Sequence, residues 1–272
     1  ITVGGGIDLD ATGDVSFGNL DAQGGTFTVD ADGNIDFVEA RSSDDMAMNA
    51  GGGISGGRAM SDGAGLFNAD NELTLDNADI ADSAAFAGSN VQLGAISGSS
   101  IAVSGSNVSV QNANGGDITI MGDDISINLA DGDNIALTSA GNGSIAANRV
   151  DASGTIDLVA GTGGFAGGTL SSGGALNLLS NGAITFDNAN AGGDVRMTGV
   201  GNSDITANVI TSATNIVLNS GGSTAIGSVA ASQTGPAMVQ ISADQGIALD
   251  TITGNEVDLT ASNGNIVVST DA

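Results

Sequence analysis

The most regular feature of the chain is a three-residue unit in which one residue is flanked by two apolar ones. In the second half these units are Ile135-x-Leu137, Ile156-x-Leu158, Leu176-x-Leu178, Val195-x-Met197, Ile216-x-Leu218, Val239-x-Ile241 and Val257-x-Leu259. Alternation with a period of two marks a strand with one buried face. The units recur at a step of about 20 residues, and self-similarity at such a period marks a stacked repeat architecture. Two further apolar positions recur within each step: Ile145 and Val150, Phe165 and Leu170, Ile205 and Val209, Ile226 and Val229, Ile247 and Ile252. Each repeat is therefore expected to hold three short strands.

Clusters such as "AGTGG", "SSGG", "SNG" and "NSGGS" separate these strands. Gly, Ser and Asn supply the backbone freedom and local hydrogen bonds that sharp corners need. Three strands and three corners per repeat describe one coil of an all-β, three-faced parallel β-solenoid with about 20 residues per coil. Strands would pair with their equivalents in neighbouring coils about 4.8 Å away, and roughly 13 coils would stack to about 60 Å. The pattern predicts an inward column of Ile135, Ile156, Leu176, Val195 and Ile216. It also predicts an outward row of Ala136, Asp157, Asn177, Arg196, Val217, Gln240 and Asp258, in which no Asp follows Asp, as stacking at high charge requires.

The first half follows the same rule, with Ile7, Phe27 and Met46 echoed eight residues later by Val15, Ile35 and Ile54. This agreement predicts a single β-helix domain over residues 1–272. The signal fades between residues 56 and 73. From Val91 to Ile135 the triplets come at steps of 7 and 10, where a shortened face is expected. Neither a hexapeptide helix nor a calcium-binding nonapeptide array keeps its period here.

Composition restricts the chemistry. Across 272 residues there are 31 acidic residues against four arginines, giving a net charge of -27, with no Lys, His, Cys, Trp or Tyr. Such a field repels nucleic acid and anionic membranes and attracts cations. Stability has to come from packing and backbone pairing, because disulfides and thiolate metal sites are excluded. No stretch of about 18 consecutive apolar residues occurs, so membrane insertion is not expected. The opening "ITVGGGIDLD" has neither an initiator Met nor the regions of a signal peptide, which leads to the expectation of a piece of a longer, processed protein.

Units such as Gly154-Thr155-Ile156-Asp157-Leu158-Val159-Ala160 and Asp133-Asn134-Ile135-Ala136-Leu137-Thr138-Ser139 resemble the tandem repeats of filamentous-haemagglutinin-like exoproteins. The resemblance implies a right-handed parallel β-helix forming the shaft of a secreted bacterial adhesin, located at the cell surface or in the matrix between cells. It also implies export by a dedicated outer-membrane transporter. Partners would be further repeats or domains of the same chain. A second expectation is a self-assembling extracellular filament or surface-layer subunit of head-to-tail copies, and a third, minor one is a polysaccharide-active β-helix enzyme.

The enzyme expectation is tested against the residues. A lyase needs a basic group beside calcium-binding carboxylates, and a hydrolase needs paired carboxylates in a cleft. Arg196 lies on the outward row between Asn177 and Val217, which reads as a solvated ladder. Phe17, Phe27, Phe37, Phe165 and Phe186 fall mostly at inward positions, as core rather than as sugar platforms. No catalytic residue and no required cofactor is therefore expected. Calcium is the one candidate ion, at Asp30 and Asp32 in "DADGN" and at Asp123, Asp124, Asp131 and Asp133 in "GDDISINLADGDN". Ile35 and Arg41 stand where an EF-hand needs Gly and Glu, so the simpler expectation is that each turn Asp caps its own corner.

Overall fold

A computed structural model describes residues 1–232 and 235–269. The protein is all-β, its parallel strands stacked as a β-solenoid of about 14 turns spaced about 19 residues apart. The chain groups into two compact units, one of residues 1–122 with 126–132 and one of residues 123–125 with 133–272.

In the second unit a typical coil consists of a strand of five or six residues, a corner, and a strand of seven to nine residues. Ile156–Ala160 and Gly164–Ser172 are one such pair. The inward column forms as the triplets dictate, with Ile135, Ile156, Leu176, Val195 and Ile216 successive register partners. All five are buried. The outward row from Ala136 to Asp258 forms in the same registers.

The expected third strand is not separate. In Ile184–Ala191 the side chains of Ile184, Phe186, Ala189 and Ala191 point inward, while Asp187 and Asn188 are consecutive outward residues. Two outward residues in a row turn the strand from one face to the next. Asp187 drops out of the register at that bend, and pairing resumes at Asn188. The third corner is thus a kink inside a paired strand, and the residue that drops out of the register there is glycine in several coils, as at Gly57, Gly94, Gly168 and Gly227.

Two sequence assignments are corrected. Ile210 is buried and Val209 is the half-exposed bend residue, because the bend shifts the inward phase by one. Ile226 pairs with Ala207, and the slot that continues from Ile205 is filled by Thr224.

In the first unit one inward column runs Ile7, Phe27, Met46, Gly65, Ala84, Ile101 and Ile118. The apolar signal fades where Gly65 and Ala84 occupy it. Ile80 fills the space that Gly65 leaves, since a Cβ there would stand 2.8 Å from Ile80 Cδ1. Two coils then run as the long strands Asn90–Ser104 and Asn107–Gly122. Here the coil is shorter, and Ser83, Ser100 and Asp117 are successive register partners. Two faces keep their full length, lined by the triplets at Val91 and Val108 and by those at Ile101 and Ile118. The corners shrink. Inward Ala59 and Gly65 are six residues apart across a corner, but Ile96 and Ile101 only five.

Candidate functional site: the corners between coils

The residue just before an inward triplet is repeatedly Asp or Asn, and its side chain reaches the next coil. Asp14 Oδ1 accepts the backbone N–H of Asn34 at 2.7 Å, and Asn34 Oδ1 in turn accepts that of Gly53 at 2.8 Å. Asp45 accepts from Ala64 at 2.8 Å, Asp124 from Ser144 at 2.9 Å, Asn134 from Thr155 at 3.0 Å and Asp204 from Ser223 at 2.6 Å. Short polar side chains are suited to this because they compete well for nearby backbone donors. The expectation that a turn Asp caps its own corner is corrected: these carboxylates cap the corner of the following coil. Within one coil that N–H has no strand partner, and the stacked coil brings the acceptor to it. The signal was present in the sequence as Asp or Asn directly before Val15, Ile35, Met46, Ile135, Val195, Ile205 and Ile216.

Buried serines tie the same corners from inside. Ser61 Oγ donates to the carbonyl of Asp44 in the previous coil at 2.6 Å and lies 3.1 Å from that of Ala64 in its own corner. Ser42, Ser212 and Ser220 repeat the arrangement. A buried hydroxyl is tolerated because its hydrogen bonding is met.

The densest corner centres on Asp194. Its Oδ1 accepts the Thr214 hydroxyl at 2.6 Å, the Asn215 N–H at 3.2 Å and the Asn215 amide at 3.1 Å, while Oδ2 accepts from Arg196 Nη2 at 2.8 Å. The Thr214 hydroxyl is the largest cause that holds this carboxyl down at about 2, aided by the Asn215 N–H and by Arg196, with partial burial opposing them. Arg196 keeps the predicted neighbours Asn177 and Val217. Comparison with protein-family models, curated proteins and solved structures finds no match to this chain.

The calcium candidates divide between the units. Asp30, Asp32 and Asp131 belong to the first, and Asp123, Asp124 and Asp133 to the second. All six are exposed. Asp30 lies opposite Asp10 and Asn49 in the register, and its Oδ1 accepts from Asn49 Nδ2 at 2.7 Å. Asp10, Asp30, Asp32 and Asp70 line one shallow depression with Asn49 and Asn68. Asp124 Oδ1 is used by Ser144, Asp133 Oδ1 accepts from Ser153 Oγ at 2.8 Å, and the Asp123 carbonyl accepts from Ser139 Oγ at 2.6 Å. Calcium needs six to eight oxygens around one point. Among the described residues no group of three or more acidic side chains is placed to hold a metal.

Proposed function

We propose that this chain is a spacer segment in the shaft of a secreted bacterial surface adhesin, holding a binding region away from the cell. The observation that carries this reading is the coil-to-coil register within each unit, reinforced at the corners by side chains bonded to the next coil. A stack of like steps converts chain length into reach at about 4.8 Å per coil. The outward row from Ala136 to Asp258 supports the same role, since its acids are spaced with Asn, Arg and Gln between them and leave a hydrated surface that resists aggregation. No catalytic step is part of the reading. Arg196, the one base weighed for proton abstraction, is committed to Asp194.

The test is to remove whole coils from the secreted protein, beginning with residues 156–175, which restores the register by bringing Leu176 onto Ile135. Attachment of cells to a surface is expected to fall stepwise with each coil removed, with folding and the isolated affinity of the binding region unchanged. Attachment that is indifferent to the loss of several coils would overturn the spacer role.

A further inference from the structure

The first unit carries a polar groove that the corner chemistry does not use. It is lined by Arg58, Asn77, Asp79, Ser97, Asn112 and Asn114 over a floor of Ala78, Ala95 and Ile96. These residues come from four successive coils, so the groove runs about 14 Å along the stack. Its origin lies in the register. Ala95 sits between Asn77 and Asn112 on one outward row, and Ser97 between Asp79 and Asn114 on the next. Two small residues thus lie side by side where the coils narrow, and the wider coil bearing Arg58 forms one wall.

The amides and the guanidinium here differ from the amides at the coil contacts in being unspent. Asn34, Asn49, Asn107, Asn177 and Asn215 are tied to neighbouring coils. Among the described residues, the side chains of Arg58, Asn77, Asn112 and Asn114 have no hydrogen-bond or ion-pair partner. Asp79 is fixed by the Ser97 hydroxyl, which donates to its Oδ1 at 2.8 Å, leaving Oδ2 to accept.

We propose that this groove binds a short neutral oligosaccharide along the coil stack. A sugar hydroxyl both donates and accepts, and three amides with a carboxylate, a guanidinium and a hydroxyl offer both functions within one strip. Arg58 and Asp79 offset each other's charge in the groove, and the net charge of -27 opposes an anionic ligand. A peptide added as an extra strand has no place here, because the groove lies on a sheet face whose backbone groups are already paired. The small floor offers no pocket for a large apolar anchor.

The proposal is independent of the spacer role, and its test uses the chain alone in solution. The chain is screened on an array of neutral gluco-, galacto-, manno- and N-acetylhexosamine-configured oligosaccharides, with uronic and sulfated glycans alongside. The best hit is then titrated against Ala95→Trp, which fills the groove, and Asn112→Ala, which removes one amide without changing the coil. Thermal melts confirm that each variant is folded. At least one neutral glycan is expected to bind, with affinity lost at least tenfold in Ala95→Trp, reduced severalfold in Asn112→Ala, and unchanged in Leu179→Ala on the second unit. Binding to no neutral glycan, a preference for the anionic ones, or binding that survives both groove variants would overturn it.

Discussion

Thr224 is a polar residue in an apolar column. It stands between Ile205 and Ile247, is 1% exposed, and its hydroxyl has no hydrogen-bond partner among the described residues. Desolvating a hydroxyl without compensation costs about 1–3 kcal/mol. Thr224→Val is therefore expected to stabilise the fold by about 1 kcal/mol, read as a melting temperature about 2–4 °C higher. A lower melting temperature would show that the hydroxyl has a partner. Asp194 makes the opposite case, a half-buried carboxylate with four donors. Its folded value of about 2 lies below its ordinary 3.8, so its contribution is fully present above pH 4 and is lost as pH falls through 2. Asp194→Ala is expected to cost about 1 kcal/mol at neutral pH, discounted for solvent screening. Melts of both proteins from pH 7 to pH 2 should converge at the acid end, and a gap that stays constant would assign the loss to packing instead.

At the scale of the element, the narrow interior is filled by matching large and small side chains on successive strands. Phe37 stacks on Phe17 with ring centroids 5.4 Å apart, and its other neighbour in the register is Gly56. A Cβ on Gly56 would stand 2.2 Å from Phe37 Cζ, so the glycine is there for its lack of volume. Gly56→Ala is expected to destabilise by about 1–3 kcal/mol through overpacking. In the Phe37→Leu background the same change should cost at least about 0.5 kcal/mol less, because the two sites share one space. Additive effects in denaturant titrations would show that the ring moves aside freely. Phe67 and Phe86 stack in register with centroids 5.2 Å apart. That pair shows the other solution, two rings of equal size lying parallel on adjacent coils.

For the molecule as a whole, the net charge of -27 is the dominant long-range term. Self-repulsion of this size opposes compaction, and salt weakens it within a Debye length of about 10 Å at 0.1 M. Because the acidic corners use their oxygens on backbone donors and hydroxyls, divalent ions are expected to act by screening. Millimolar calcium and millimolar magnesium at equal ionic strength should raise the melting temperature alike. A larger rise with calcium, reversed by a chelator, would establish a specific site, with the depression around Asp10, Asp30 and Asp32 the first place to look.

The period, the inward columns and the outward row were legible in the sequence, because side-chain alternation is a local property and a triplet such as Ile156-Asp157-Leu158 declares its own buried face. The glycine-rich corners were legible for the same reason. The bend between Asp187 and Asn188 was not, since two outward residues in succession look like a lost strand until the flanking coils show the pairing on both sides. The same phase shift hid Ile210 behind Val209, and the filling of the Gly65 slot by Ile80 was hidden because the two side chains meet only across a corner. The candidate sites divide in the same way. The sequence marked Asp and Asn before many of the triplets, but only the stacked coils determined what those oxygens accept, because the donor belongs to the next coil, as Ala64 does for Asp45 and Met238 for Asn215. The groove at Ala95 has the least local signal of all. It exists because small residues on two rows coincide where the corners lose a residue, and only register brings such positions together.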